Sequence, residues 1–351
     1  MLKIKISFRT LTLILITILL VGLAACSPDA PSETPSSEEP GLETEILSTL
    51  EAPPTPLPPE PQPTVLLIIG EQVDPFLITQ TQAMLEHLVE TSSMKLLSEE
   101  GLTPEMVTPE VQVVVGVGQN LDLNTLAAQQ PGLSFVTIGN PGAVVADNVS
   151  VIGDPSIEAQ QLAFLAGYLS AVVSKDNKIA ALIAEESPMR DFLAESYQVG
   201  ARFYCGICHP VFPPYNTFPK WEIVSLTTVA SDFVSIIDSY ANIGVDVMFV
   251  HGALFSPELR DYMEELGVKV VSDRSPDILR SNWAGTLAMD PAPALEALWL
   301  DLLAVAPGKQ APSSMVLMDL QMGLVSPGRQ RLFEGMVAEL QSGMVSLEIA
   351  P

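Results

Sequence analysis

Short apolar runs recur along the chain and fit strands that are covered on both faces. They are "VLLIIG" at 65–70, "VQVVVGVG" from 111, "LSFVTIG" from 133, "KIAALIA" from 178, "VDVMFVHG" from 245 and "VKVVSD" from 268. A strand with one wet face would alternate apolar and polar positions, and these do not. Stretches of helical spacing separate most of them, and that alternation predicts an α/β fold built on doubly wound parallel sheets. Asp154-Pro155, Ser256-Pro257, Asp290-Pro291 and Ser326-Pro327 each put a capping side chain before a proline, whose missing N–H costs nothing in a helix's first turn. Gly267 and Gly343 sit where the second and fourth of those helices should close. After Asp154, Leu162, Leu165, Leu169 and Val172 form one stripe, while Ala163, Ala166, Gly167 and Ala171 permit close backbone approach.

The N-terminal pattern is different. Lys3, Lys5 and Arg9 precede an apolar run from Leu11 to Leu23, which closes on Leu23-Ala24-Ala25-Cys26. This is the form of a bacterial export signal, residues 1–25, ending in the box at which a lipoprotein precursor is acylated and cleaved. Cys26 is thus expected to become a lipidated first residue, anchoring the chain to the outer face of the cell membrane. Residues 26–63 are rich in Pro, Ser, Thr and Glu and include "APPTPLPPEPQP" at 52–63. Such a segment buries too little apolar surface to offset its ordering entropy and reads as a tether. At about 3.1 Å per residue it lifts a domain up to roughly 100 Å from the lipid.

The formal charge is −26, and cleavage would remove three cations and no acid. Nucleic acid is a poor partner for such a body. The chain from Thr64 onward is longer than one core normally serves, so two lobes are expected. In open parallel sheets ligands sit beyond the carboxyl ends of the strands. That rule selects Asp74 and Phe76 after the first strand, Gln119 and Asn120 after the second run, Asn140 after the third, His251 after "VMFV" and Asp273 after "VVS". A capping or turn role competes with ligand contact at each of them.

At "GDPSIEAQQLAFLAGYLSAVVSKDNKIAALIAEE", 153–186, the chain resembles the basic membrane protein family of substrate-binding lipoproteins, whose characterised members include purine nucleoside receptors of ABC importers. The likeness resumes at "IGVDVMFVHGALFSPELRDYMEELGVKVVSD", 243–273, and at "GLVSPGRQRLFEGMVAELQSG", 323–343. It implies a type I periplasmic-binding-protein fold, two Rossmann-like lobes joined by a three-strand hinge with crossovers near Ile152, Met289 and Gly323. One lobe would comprise 64–152 plus 290–323, the other 153–289 plus 324–351, with the ligand cleft between. The family's Asp-x-Ser-Phe-Asn turn is here "VDPFL", keeping only Asp74 and Phe76. Its ribose-binding acid is replaced by Gly139, with Asn140 adjacent, and its glycine loop by "HGALFS", in which Gly252 alone matches. Asp273 keeps part of the acidic loop.

Cys205 and Cys208 are the other two cysteines, in "FYCGICHPVFPPY" at 203–215. In an exported chain a disulfide is the default. With His209 they also spell the C-x-x-C-H signature of covalent haem, for which His87, His251 or a methionine would be the second axial ligand. The family resemblance puts this stretch where the first helix of the second lobe ends, a position at which relatives carry no haem.

The leading expectation is therefore a monomeric solute-binding lipoprotein that closes over a small polar or aromatic, nucleoside-like molecule and presents it to an ABC permease. Phe76 would give an apolar or stacking face, Asp74 and Asp273 would accept hydrogen bonds, and Gln119, Asn140 and His251 would complete the set. A c-type haem electron carrier and a ligand sensor without a transport role are the alternatives. The chain has no G-x-S-x-G, H-E-x-x-H or Walker loop and only three scattered histidines, so no enzyme, metal or cofactor is expected.

Overall fold

The computed structural model describes residues 62–71, 73–187, 189–206, 208 and 216–347. The expected export signal, Cys26, most of the tether and His209 lie outside the described residues. Twelve strands among the described residues form two six-stranded sheets. The first contains β1 (Thr64–Ile69), β2 (Lys95–Glu100), β3 (Val111–Val117), β4 (Ser134–Ile138), β5 (Val149–Ile152) and β11 (Gln310–Ala311), in the order β2-β1-β3-β4-β5-β11. The second contains β6 (Ile179–Ala184), β7 (Lys220–Val224), β8 (Val247–Val250), β9 (Lys269–Ser272), β10 (Trp283–Asp290) and β12 (Ser314–Met318), in the order β7-β6-β8-β9-β10-β12. Every pair is parallel except β10–β12. The same path is thus traced twice, with the strand order reversing beside β1 in one sheet and beside β6 in the other.

Each sheet is covered on both faces, which is why its inner strands read as unbroken apolar runs. β6 is buried at every position and β3 at all but Gln112. On the first sheet, α1 (Pro75–Thr91) and α7 (Ala292–Leu303) pack one face through Leu85, Leu88, Leu295, Leu298 and Trp299. The other face carries α2 (Leu123–Gln129). On the second sheet, α3 (Pro155–Val173), α4 (Arg190–Cys205) and α8 (Pro327–Gln341) share one core, and α5 (Ala230–Asn242) and α6 (Pro257–Glu265) share the other. Burying each Leu, Ile, Val or Phe contributes about 1.5–3 kcal/mol, offset mainly by chain entropy.

α3 and α4 cross almost backbone to backbone. A Cβ on Gly167 would overlap the carbonyl of Tyr197, and one on Gly200 the carbonyl of Phe164. The capping side chains act as their positions predict: Asp154, Ser256 and Ser326 accept from backbone N–H groups at the starts of α3, α6 and α8, and Asp290 accepts from Ala292. Gly267 and Gly343 follow α6 and α8 with positive φ.

The chain passes between the sheets at Gly153, at Asp290–Pro291 and at 312–313. The third passage departs from the position near Gly323 that the resemblance implies. β12 lies inside the segment expected for the first lobe, yet it pairs antiparallel with β10 of the second sheet, from Thr286↔Met318 to Asp290↔Ser314. The crossover follows β11 directly, because two residues of β11 suffice to pair with β5 before the chain turns. The Gly153 N–H donates to the Ala311 carbonyl at 2.8 Å, and the Gln310 side-chain amide donates to the Gly153 carbonyl at 2.9 Å, so the first and third passages are pinned together. Among the described residues no helix is long and apolar enough to cross a membrane.

Candidate functional site

The carboxyl ends of both sheets face a cavity of about 400 Å³. Its floor and one wall belong to the second lobe. Pro155, Ser156, Ala159, Leu162 and Ala163 present one face of the first two turns of α3, as their spacing on a helix requires. Met189 and Leu193 add the start of α4, and Phe249 comes from β8 with its ring stacked on Tyr197 at 6.1 Å between centroids. Polar groups stand at the ends of the second-lobe strands: Ser187 after β6, His251 after β8 and Asp273 after β9. The first lobe adds Gln119, after β3, and Pro141, after β4.

His251 and Asp273 form a fixed pair. The Ala253 N–H donates to His251 Nδ1 at 3.3 Å, which leaves Nε2 as the protonated nitrogen of the neutral ring. Nε2 lies 3.5 Å from Asp273 Oδ2, and the other carboxylate oxygen accepts a short hydrogen bond from the Gly252 N–H. One Asp273 oxygen is therefore committed to the backbone, while the other remains with His251 at the cavity wall. Among the described residues no Lys or Arg lines this cavity. Gln119 is held by its backbone, which exchanges hydrogen bonds with Glu71 at 3.0 and 3.2 Å, and its side-chain amide makes no hydrogen bond within the described residues.

Gln119, His251 and Asp273 are thus brought together, and the other sequence-selected residues stand elsewhere. Asp74 is the N-cap of α1, its carboxylate accepting from the Phe76 N–H at 2.8 Å. Phe76 is half-buried in the first turn of that helix and does not line the cavity. The Asn140 side chain donates to the Leu121 carbonyl at 2.8 Å, tying two loops of the first lobe. Gly252 sits behind the His251–Asp273 pair and lines a different cavity. Two of these placements, those of Asp74 and Asn140, follow from one cause: a polar side chain just past a strand first satisfies the local backbone, and only surplus groups face the cleft. The α3 wall went unread because a stripe such as Ala159, Leu162 and Ala163 has the same pattern whether it meets a core or a cleft. The usable signal was the crossover itself, since the first turns of a helix that follows it flank the interlobe opening.

A broader trough of about 640 Å³ lies on the first lobe alone, with Glu71, Glu100 and Asp122 among its walls. Two of these acids already have partners. Asn120 donates to Glu71 at 2.8 Å, and Asp122 caps α2 through the Thr125 N–H at 3.1 Å, with Thr125 hydrogen bonds holding its carboxyl below the usual value. The trough does not touch the second lobe, so the cavity shared by both lobes is the better candidate. Among the described residues no cluster of three or more His, Cys, Asp or Glu could hold a metal. Cys205, the last residue of α4, is bonded to Cys208, which leaves neither thiol free for a thioether link to haem.

Solved structures with the same architecture include a solute-binding protein of an ABC transporter system from Conexibacter woesei DSM 14684, 15% identical with a TM-score of 0.59 over 81% of this chain and 98% of that one. A second solute-binding protein of an ABC transporter system, from Aeropyrum pernix K1, is 13% identical with a TM-score of 0.53 over 81% of this chain and 92% of that one. The chain has the type I periplasmic-binding fold. A transcriptional activator of the comK gene from Bacillus halodurans shares it, at 13% identity and a TM-score of 0.56 over 80% of this chain and 98% of that one. No family model matches the chain, and no curated protein matches it. At such identities the likeness is one of fold, and a type I fold serves proteins with different tasks.

Proposed function

We propose that the chain is an extracytoplasmic solute-binding lipoprotein, related to the basic membrane protein family and anchored through Cys26, that captures a small polar or aromatic solute for an ABC importer. The observation that carries the reading is the cavity of about 400 Å³ whose walls come from both lobes at the carboxyl ends of their strands. A solute that touches Gln119 and Pro141 as well as the α3 wall gains contacts only when the lobes are together, and that differential affinity drives closure. The role is binding, not catalysis, and a monomer suffices for it.

The lining narrows the solute. Its apolar floor of Leu162, Leu193, Met189 and Phe249 suits a flat or compact apolar body, and Ser187, His251, Asp273 and Gln119 offer hydrogen bonds around it. With no Lys or Arg among the described wall residues, a phosphate would enter unpaired at a cost of several kcal/mol, so a nucleoside-like solute is favoured over a nucleotide. Mass spectrometry of small molecules released from the purified, unfolded protein tests this reading directly. A retained neutral heterocycle or nucleoside is the expected result. An empty extract, together with no rise in Tm across a panel of nucleosides, riboflavin and amines, would count against solute capture. Labelling with a palmitate analogue that is lost in Cys26→Ser would test the anchor.

A sensor passing its ligand state to a partner protein is the second reading. Its support is the transcriptional activator that shares the fold. Neighbouring kinase genes and no permease gene would favour it.

A further inference from the structure

Behind the His251–Asp273 pair lies a separate cavity of about 190 Å³ that shares no lining residue with the interlobe cleft. It is formed by the loop from β8 into α6 and the loop after β9. Its walls include Ser256, Arg260, Arg274, Asp277 and the ring of Trp283, which lies 5.2 Å from that of Phe255. Arg260 is the unusual member. It is only 7% exposed, its Nε is buried without a hydrogen-bond partner, and its side chain makes no hydrogen bond within the described residues. Its shortest approach to a carboxylate is 4.0 Å, from Nε to Asp261. Its charge lowers the carboxyls of Glu258 and Glu264 as a secondary influence, yet neither comes within ion-pair distance. Buried arginines are rare unless paired, because an uncompensated guanidinium loses its hydration for nothing.

The rest of the cavity supplies what an anion needs. Arg274 stands exposed at the mouth and makes no ion pair within the described residues. The Ser256 hydroxyl accepts from the Leu259 N–H at 3.1 Å, and its own proton serves the Glu258 carboxyl, which it helps to hold below the usual value. The N-terminal end of α6 adds its positive dipole. Three features oppose an anion, the first being the Glu258 carboxyl beside Ser256. Asp277 carries its carboxylate at the exposed mouth, where water screens it, and the Ser275 hydroxyl is committed to Asp319 at 2.7 Å. The charged lining is still two guanidiniums against one carboxylate, in a chain of formal charge −26.

We infer that this cavity is a binding site for a small oxyanion, held by Arg260 at the floor and by Arg274 nearer the mouth. At about 30 Å³ of liquid volume per water, the space holds one tetrahedral or carboxylate ion with a few waters, and excludes a nucleotide. The site is independent of the solute cleft. Calorimetric titration of the purified chain with inorganic phosphate, sulfate and acetate, each at constant ionic strength balanced with chloride, tests it. Saturable binding of at least one of them, with Kd below about 1 mM, is the expected result. Arg260→Met and Arg274→Gln should each weaken it about tenfold or more. Arg274→Gln removes an exposed side chain and leaves the fold intact, so it decides the matter should Arg260→Met fail to fold. Which anion saturates separates an inorganic ligand from a carboxylate of a larger molecule. No saturable heat up to about 10 mM of any of the three, or an affinity that Arg274→Gln leaves unchanged, would overturn the site.

Discussion

The two lobes repeat one strand order and divide the work unequally. The second lobe brings α3, α4, β8 and the loops after β6, β8 and β9 to the interlobe cavity, whereas among the described residues the first contributes only Gln119 and Pro141. The polar residues of the first lobe at the same edge are occupied with their own loops: Asp74 caps α1, Asn140 holds Leu121, and Asn120 binds Glu71. Strand order therefore says where a ligand can sit, and the loops decide which lobe grips it. On this arrangement the second lobe is a preformed half-site and the first is its cover.

The largest effect expected from breaking that comparison lies in the packing that makes the second lobe rigid. Gly200→Val would drive two methyl groups toward the Phe164 backbone at the α3–α4 crossing, where neither chain can retreat without moving the cavity wall. Overpacking of this kind should cost about 3 kcal/mol and lower the Tm by roughly 6–12 °C. Calorimetry measures it, and solute binding should fall with it. A variant of unchanged Tm would show that the crossing is looser than a backbone contact.

Next in size is the affinity contrast between the lobes. Asp273→Ala removes the acceptor of the Gly252 N–H and the partner of His251, so the retained solute should bind about tenfold to a hundredfold more weakly. Gln119→Ala, on the covering lobe, should cost only about twofold to tenfold. Titration of both variants with the solute identified by mass spectrometry makes the comparison. Equal losses would mean that the cover grips as hard as the half-site.

How far the sequence could be read follows the same physics. The six apolar runs correspond to β1, β3, β4, β6, β8 and β9, all interior strands with neighbours on both sides. The edge strands β2, "KLLSEE", and β7, "KWEIV", carry exposed and charged positions and lack an unbroken apolar run. Interior β10, "WAGTLAMD", was hidden for another reason. Its small residues make room for β12 and the chain beyond it, as at Gly285, where an added Cβ would lie 2.7 Å from Leu317. In the site, position past a strand found Gln119, His251 and Asp273. It could not separate them from Asp74, because the same carboxylate can cap a helix or face a ligand, and only the backbone around it decides.

Asp74 gives a smaller, sharper test. Asp74→Ala should cost about 1 kcal/mol of stability through the lost N-cap of α1, seen as a lower denaturant midpoint. Solute affinity should stay within about twofold of the parent, as befits a group with no place in the cavity wall. A loss as large as that of Asp273→Ala would return Asp74 to the ligand set.

The smallest effect belongs to the junction between the lobes. Glu158 lies in the first turn of α3, with its Oε1 buried and without a hydrogen-bond partner beside Gly153. Burial pushes its carboxyl above the ordinary 4.5, donors on Ser313 at the third crossover pull the other way, and the Asp154 charge adds to the rise. The folded state therefore holds this proton more tightly than the unfolded chain does. Its contribution to stability is fully present below the unfolded value and is lost as pH rises through the raised folded one, the reverse of an ion-paired carboxylate. Glu158→Gln keeps the shape and removes the titration. Its Tm relative to the parent should thus be lowest near pH 4 and climb to a plateau by about pH 8. A flat difference across that range would mean that water reaches Glu158 and that the lobes part at Gly153 more readily than its hydrogen bonds to Gln310 and Ala311 allow.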